Sequence, residues 1–395
     1  MADQMSYDII VVGAGPAGLM AAWKASKAGS SVLLLDKKER IGAGPHPADT
    51  TFEGMFKITG LSLQKEYVIH RLRGMHIVSP SGFRIVINSP GFAIDRAVFD
   101  GYYAGIAQDS GTEIKTGSRA IDLKLGDETH EVTARENNGK RSYKAKIVIG
   151  ADGIESSIAH WAGLKSMRHP EEVASAVQAE MIGVETEYPE YFQYHIGRSV
   201  APGWKATISP KGDSKASVAA FVRNTPRPAM EYFNQFVYKN RLVSHFFEKA
   251  KILDILEGGD PIATMPGDLV KKGIMIVGGA GGQAGLPYGM LAGIICGDVA
   301  AKAIEADDVS KKRLDRYVSM WRKELFSEYK TGYRALKVME KIPDEDVDKM
   351  VKALQDVDVT GELSRRSTTF MKGLGIASLA LRRDPKLLRF VKYLV

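Results

Sequence analysis

Gly13, Gly15 and Gly18 stand at G-x-G-x-x-G spacing in YDIIVVGAGPAGLMAAWKASKAGSSVLLLD, and the stretch ends on Asp36. The chemistry these residues suit is the grip of a pyrophosphate. The first glycine permits a tight turn, the second lets backbone amides approach the phosphates, and the third lets a helix pack on a strand. Asp36 closes an apolar run, where a carboxylate accepts hydrogen bonds from ribose hydroxyls. Pro16 and Ala17 belong to the turn and Lys37 adds a cation beside the acid. Stepping outward, residues 9–12 read as a buried strand, 19–28 as an alanine-rich helix closed by Gly29, and 32–35 as a second strand. With strand, turn, helix, strand and acid all in place, a bound dinucleotide is expected.

A second glycine-rich stretch, GIMIVGGAGGQAGLPYGMLAGIICG, covers residues 273–297. It reads as a buried strand, a turn and an apolar helix, and its turn carries no acid, base or thiol. Main-chain amides and the positive end of the helix are left to hold a flat ring's polar edge. Gly278 and Gly279 in the turn, with Gly289, Met290 and Leu291 at the helix start, are the candidates.

The 395 residues carry a net charge of +7 and a single cysteine, Cys296. One cysteine excludes an internal disulfide and any cysteine-based metal cluster, and no metal site is expected. The cations are spread along the chain, which suits anionic small molecules or lipid headgroups, and no nucleic-acid partner is expected. No apolar run of about 18 residues is evident, so no spanning helix is expected. Residues 1–8 lack a secretory pattern, and the single cysteine fits a reducing, cytoplasmic compartment.

Two further segments complete a framework. AIDRAVFDGYYAGIAQDSG places Arg96 at a helix start, and KAKIVIGADGIESSIAHWAGL reads as strand, Ala151-Asp152-Gly153 turn and helix. In this order, with the turn at Gly278, they resemble the FAD-binding framework of the glutathione-reductase and hydroxybenzoate-hydroxylase type. Within it the chain resembles the geranylgeranyl reductase family of archaeal lipid synthesis. VIGADGIESSIAHWAGLKS, ASAVQAEMIGVE and SVAPGWKATISPKGD carry that likeness, which runs from residue 7 to about 304.

The resemblance implies an α/β chain with a Rossmann-like FAD-binding domain (1–55, 92–165 and 266–305). It adds an antiparallel β-sheet substrate domain (56–91 and 166–265) and a helical C-terminal region (306–395). It implies reduction of isolated double bonds in prenyl chains by reduced FAD, with electrons from a carrier such as NAD(P)H or ferredoxin. Gly13, Gly15 and Gly18 would cradle the pyrophosphate, Asp36 the adenosine ribose, and Arg96 the phosphates or ribityl chain. Ala120, Asp152 and Gly153 would also line the cofactor. In isolation Asp152 serves equally as a helix N-cap.

Three departures from the family stand out. Its ribityl-binding aspartate falls on Gly279. Its cysteine-containing segment is IGAGPHPADTTFEGM, whose acid–base groups are His46 and Asp49. Alkene reduction benefits from a proton donor, and these two are the catalytic candidates. For His46 a solvent-facing loop histidine is the plain alternative. Its aromatic triad Tyr-x-Trp-x-Phe falls on Lys205, Thr207 and Ser209. Together with Trp204 these are candidate substrate contacts, with Trp204, Ala206 and Ile208 on the opposite strand face. A slip of one residue would exchange the faces.

Elsewhere, 56–90 reads as a hairpin turning at 79–82, and 172–222 as antiparallel strands turning at 211–213. Residues 230–251 read as an aromatic-rich helix. From Ser310 the apolar residues Leu314, Val318, Trp321, Leu325, Tyr329, Leu336 and Met339 recur at helical spacing, and Pro343 starts a shorter helix. The last stretch, 370–395, mixes apolar and cationic residues, and suits either a packed helix or one lying on an anionic membrane face. Three functions fit: the prenyl reductase, a flavoprotein monooxygenase or quinone-type dehydrogenase on the same frame, or an electron-shuttling binding protein without substrate chemistry.

Overall fold

The computed structural model describes residues 5–44, 49–169, 173–261, 265–355, 357, 359–360, 382–383 and 385. From the N-terminus run β1 (Ser6–Val12), α1 (Pro16–Lys27), β2 (Val32–Leu35), β3 (Thr50–Phe52) and α2 (Glu53–Phe56). Then come β4 (Val68–Leu72), β5 (Gly74–Val78), β6 (Arg84–Ile87), β7 (Gly91–Ile94) and α3 (Arg96–Asp109). The chain continues through β8 (Thr112–Lys115), β9 (Arg119–Lys124), β10 (His130–Glu136), β11 (Gly139–Gly150) and α4 (Ser157–Trp161). Next are β12 (Ala174–Ile182), β13 (Tyr191–Ile196), β14 (Lys205–Gly212), β15 (Lys215–Val222), α5 (Ala229–Lys239) and β16 (Lys251–Asp260). Finally come β17 (Val270–Lys271), β18 (Ile274–Ile276), α6 (Leu286–Glu305), α7 (Lys311–Lys341) and α8 (Asp344–Leu354).

The first sheet runs β17-β18-β11-β1-β2-β8, with β9 and β10 attached beside β11. β18, β11, β1, β2 and β8 are parallel. Parallel strands are buried on both faces, which explains why residues 9–11 and 33–35 are uninterrupted apolar runs with no exposure. α6 packs against α1 through glycines. A Cβ on Gly293 would fall 2.2 Å from the Ala17 carbonyl oxygen, and one on Gly297 2.3 Å from that of Ala21. Bare glycine backbone lets the helices approach this closely.

α6 bears on the expectation that no helix spans a membrane. With 20 residues it is long and apolar enough to cross a membrane by length and composition alone, but about two-thirds of its most apolar stretch is buried inside the protein. Its apolar surface is covered chiefly by α1 and α7.

The second sheet has the order β16-β12-β15-β14-β13-β5-β6. It is not wholly antiparallel as expected, because β13 pairs parallel to β5. More than a hundred residues separate these strands, so a crossover and not a hairpin joins them. α5 covers one face, packing Phe233, Phe236 and Val237 on Val177, Ala206, Ile208 and Val218. α5 stops at Lys239, well before the expected 251, because Asn240 turns extended and 244–247 form a separate 3-10 turn.

β3, β7 and β4 make a small third sheet. α7 buries Leu314, Tyr317, Trp321, Leu325, Tyr329 and Leu336, much the stripe that the spacing predicts, and Ser310 caps it by accepting from the Arg313 N–H. α8 follows Pro343 and packs Val347, Val351 and Leu354 around Ile85. Apart from 382–383 and 385, the stretch 370–395 and the expectation attached to it lie outside the described residues.

Candidate cofactor and substrate site

The first glycine turn is held mostly by its own neighbourhood. The Gly13 N–H donates to Leu35 O at 2.8 Å, and the Gly13 backbone has φ 105°, which favours glycine. A Cβ on Gly18 would lie 1.9 Å from the Gly13 carbonyl oxygen, so α1 can start here only on a glycine. A Cβ on Gly15 would meet nothing within 4 Å. That emptiness faces the cleft, where a phosphate needs close approach to backbone. Asp36 Oδ2 accepts from the Ala14 N–H at 2.6 Å and Oδ1 from the Lys38 N–H at 2.8 Å. The acid clamps the turn to the end of β2 and keeps lone pairs for a ribose.

Two adjoining cavities, of about 590 and 510 Å³, form one cleft, with Gly15, Lys37, Arg96, Asp152 and Gly153 on the walls of both. Gly13, Asp36 and Ala120 line the first; Pro16, Ala17, Gly278, Gly279 and Gly289 line the second. Gly18 lies behind this wall. Arg96 Nη2 pairs with Asp100 at 3.2 Å in a nearly buried couple. Across the cleft Lys37 Nζ reaches Glu155 at 3.0 Å.

Ser156, not Asp152, holds the N-cap position of α4, yet the Ile158 N–H in the first turn of that helix donates at 3.0 Å to Oδ2 of Asp152. Its other oxygen, Oδ1, is buried without a hydrogen-bond partner. Burial lifts its carboxyl above the usual carboxylate range, against the pull of backbone donors. An orphaned acceptor on the cleft wall suits a hydroxyl-bearing ligand.

The second glycine turn is held from outside. Ser156 and Ser166 Oγ donate to the Ala280 carbonyl oxygen at 2.8 and 2.6 Å. The Gly278 N–H donates to Gln283 Oε1 at 2.8 Å, Gln283 Nε2 to the Tyr317 hydroxyl at 2.8 Å, and that hydroxyl to Ile276 O at 3.1 Å. Sequence reasoning missed all four side chains. Gln283, the lone polar side chain in the turn, was the available signal.

A Cβ on Gly279 would sit 3.6 Å from Gly153 Cα, an ordinary contact, so sterics do not exclude an aspartate there. The helix start is displaced from the expected place. α6 begins at Leu286, Pro287 has no N–H, and the Gly289 N–H already donates to Gly285 O at 2.8 Å. Leu286 and Tyr288 therefore supply the unbonded first-turn amides. Met290 is fully buried in the core, and the Met290 and Leu291 amides lie within the helical ladder, so neither is a cleft donor.

On β14, Lys205, Thr207 and Ser209 do lie opposite Ala206 and Ile208, which face α5. Lys205 is in register with Phe221, and Phe221 with Ala176; both of those line the cleft. Trp204 is a correction. It precedes the strand and turns to the cleft side, donating from Nε1 to the Tyr194 hydroxyl at 2.7 Å and packing 5.0 Å from Phe221. Lys205 Nζ sits 4.8, 4.6 and 5.0 Å from the rings of Tyr194, Trp204 and Phe221. Burial draws its pKa down to about 8, with Asp260 opposing.

Further along the strand, Ser209 bonds Thr50 through their hydroxyls. Lys211 Nζ bridges Asp49 at 2.6 Å and Glu180 at 2.7 Å. Burial, with Asp49 adding, raises the Glu180 carboxyl; burial alone would lower Lys211, but the two acids hold it above its ordinary value. Asp49 is thus engaged in a buried ion cluster, and neither cavity wall includes it among the described residues. His46 lies outside the described residues.

Residues 8–245 match the family model described as FAD dependent oxidoreductase. Digeranylgeranylglycerophospholipid reductase 1 of Methanothermobacter thermautotrophicus is 34% identical over 377 residues, covering 92% of this chain and 93% of that protein. The reductase of Methanocaldococcus jannaschii is 32% identical over 357 residues, covering 88% and 90%. The chain belongs to the FAD-dependent oxidoreductases, in the digeranylgeranylglycerophospholipid reductase family. Its fold is also that of a geranylgeranyl bacteriochlorophyll reductase-like protein from Thermoplasma acidophilum, with TM-score 0.86, 23% identity and coverage of 99% and 100%. A halogenase solved with phloroglucinol and FAD matches at TM-score 0.73 and 14% identity, covering 97% of this chain and 85% of that one.

This flavoenzyme's residues fit its cofactor. The open faces of Gly15 and Gly153 and the orphaned Asp152 oxygen lie along one wall. An FAD-dependent reductase requires a reductant and, in this family, an apolar substrate.

Proposed function

We propose that this enzyme reduces carbon–carbon double bonds in the prenyl chains of archaeal-type phospholipids. Reduced FAD, when bound, supplies hydride to one alkene carbon, and a proton must reach the other. Backbone at Gly13, Gly15, Ala17 and Gly18 would hold the pyrophosphate, Asp36 the adenosine ribose, Arg96 the phosphates, and Asp152 a ribityl or ribose hydroxyl. The Gly278–Gly279 backbone and the first-turn amides of α6 would face the ring's polar edge. His46, three residues before Asp49 in the sequence, is the proton-donor candidate that the sequence supplies.

The observation that carries the reading is the make-up of the second cavity. Leu256, Phe221, Ala176, Ala284 and Leu286 give it apolar walls, and β16, which contributes Leu256, exposes Ile252, Leu253 and Ile255 along its length. Such a strip suits the passage of a hydrocarbon chain. Unsaturated archaeal lipids incubated with the dithionite-reduced protein should gain hydrogen, read by mass spectrometry. Unchanged lipid while the flavin is reoxidised would reject the proposal.

Lys205, Thr207, Ser209 and Trp204 line neither cavity, so a second reading rests instead on Gln178, Glu257 and Gln283 of the second cavity, whose polarity suits a substrate with a hydroxyl or carbonyl group. Oxygen uptake driven by NADPH with such a compound would select the monooxygenase alternative.

A further inference from the structure

α7 presents two unlike faces. One buries Tyr317, Trp321, Leu325 and Tyr329, and Tyr329 donates its hydroxyl at 2.7 Å to the Ala284 carbonyl oxygen on the cleft wall. The opposite face carries Arg316, Lys323, Lys330, Arg334 and Lys341, all exposed and recurring at intervals of seven and four residues. That spacing sets them in one line along the helix, about 37 Å long at 1.5 Å per residue.

A solvated helix face normally interleaves acids and bases three or four residues apart, as Lys311 and Asp315 do at 2.8 Å on this same helix. Four of the five cations in the line do not. No Asp or Glu stands three or four residues before or after Arg316, Lys323, Lys330 or Arg334. None of the five makes an ion pair among the described residues. Beside them Met320 is 41% exposed, and Ser319 and Ser327 are exposed small polar residues. Holding five like charges in a row without counterions is unfavourable for the isolated chain. It becomes favourable against a flat, extended anionic surface, where each cation sits near headgroups and an adjacent apolar side chain can enter the interface.

We propose that this face of α7 docks the enzyme on an anionic lipid bilayer. The choice of a bilayer over another polyanion rests on the prenyl-lipid reading above, since that substrate resides in the membrane. A straight row on one rigid rod also matches a plane better than the curved surface of a small acidic protein. The helix would then join the membrane to the cleft directly, lipid on one side and Tyr329 against Ala284 on the other.

The test is co-sedimentation of the FAD-loaded protein with sucrose-loaded vesicles, either phosphatidylcholine alone or with phosphatidylglycerol added. Binding should require phosphatidylglycerol and weaken at high salt. The variant R316E/K323E/K330E should lose at least a hundredfold in partitioning, at about fivefold per cation removed. K323Q/K330Q should lose roughly twenty-fivefold on the same basis. Flavin content and reduction of detergent-dispersed lipid should stay unchanged in both variants, which separates failure of docking from failure of the reductase reading. Equal sedimentation of wild type and variants would overturn the proposal. So would absence of binding to phosphatidylglycerol vesicles, or tighter capture by polyuridylate than by those vesicles.

Discussion

The two glycine turns of the cleft look alike in sequence and are held in opposite ways. At Gly13 the tether is local: Asp36, at the end of the next strand, accepts from Ala14 and Lys38. At Gly278 the fasteners are Ser156, Ser166 and Tyr317 with Gln283, three of them from other parts of the chain. The first turn is shaped by sterics and one acid, the second by a buried hydrogen-bond network that leaves Gly278 and Gly279 on the cleft wall. A turn without an acid is therefore not an unsupported turn. It has moved its support to the side away from the ligand.

The comparison breaks first at Gly18. Gly18→Val should abolish FAD binding and folding together, because its Cβ would overlap the Gly13 carbonyl oxygen at 1.9 Å; soluble yield and flavin absorbance would show it. If a soluble, flavin-loaded variant emerges, the steric account of the first turn is wrong.

Asp36→Ala removes two charge-assisted bonds worth about 1.5–3 kcal/mol each. FAD titration should weaken by roughly a hundredfold or more, since the turn loses its clamp as well as its ribose acceptor.

Gly279→Asp sharpens the contrast from the other side. The added carboxylate fits and should tighten FAD binding by about 1.5–3 kcal/mol if it reaches a ribityl hydroxyl. No change would show that the backbone alone already saturates that edge.

Tyr317→Phe should lower stability by about 1–2 kcal/mol by orphaning the Ile276 carbonyl and the Gln283 amide. It should also loosen FAD slightly, measured by thermal melts with and without cofactor. A matching loss in the Gln283→Leu background, instead of a smaller one, would mean that the two do not act as one network.

The smallest effect tests whether acid sensitivity arises away from both turns. In the second sheet His76 and His195 are buried, and burial, reinforced by Arg84, lowers them to about 4 and 3. Their folded values lie below the unfolded value of about 6.5, so the unfolded chain binds more protons. Stability is then present above pH 6.5 and lost as pH falls toward 4 and 3. Between pH 7 and 6 the loss should be about 1 kcal/mol, steepening below, and His195→Gln should flatten it in pH-resolved urea melts.

Much of the site was legible because it is local. The βαβ unit, Asp36, the Asp152 turn and the start of α3 at Arg96 are each a short pattern whose geometry follows from its own residues. The errors occur where position depends on distant partners. α6 starts at Leu286, not near Met290, because Gly285 caps it with φ 96°. Trp204 swings to the cleft because Tyr194 and Phe221 receive it. Asp49, read as an acid–base group, is absorbed by Lys211, 162 positions away in the chain. Nothing in periodicity signals a charge pair of that separation.

By itself the amino-acid sequence determined the parallel βαβ core, the tight glycine turn that opens α1 and the buried stripe of α7, since backbone sterics and hydrophobic periodicity act over a few residues. Only the tertiary structure decided how the acid-free turn is pinned, which side Trp204 takes, and that α6 spends its apolar surface on α1 and α7. Those outcomes depend on which remote side chains arrive, and burial makes each unmet polar group too costly to leave without a partner.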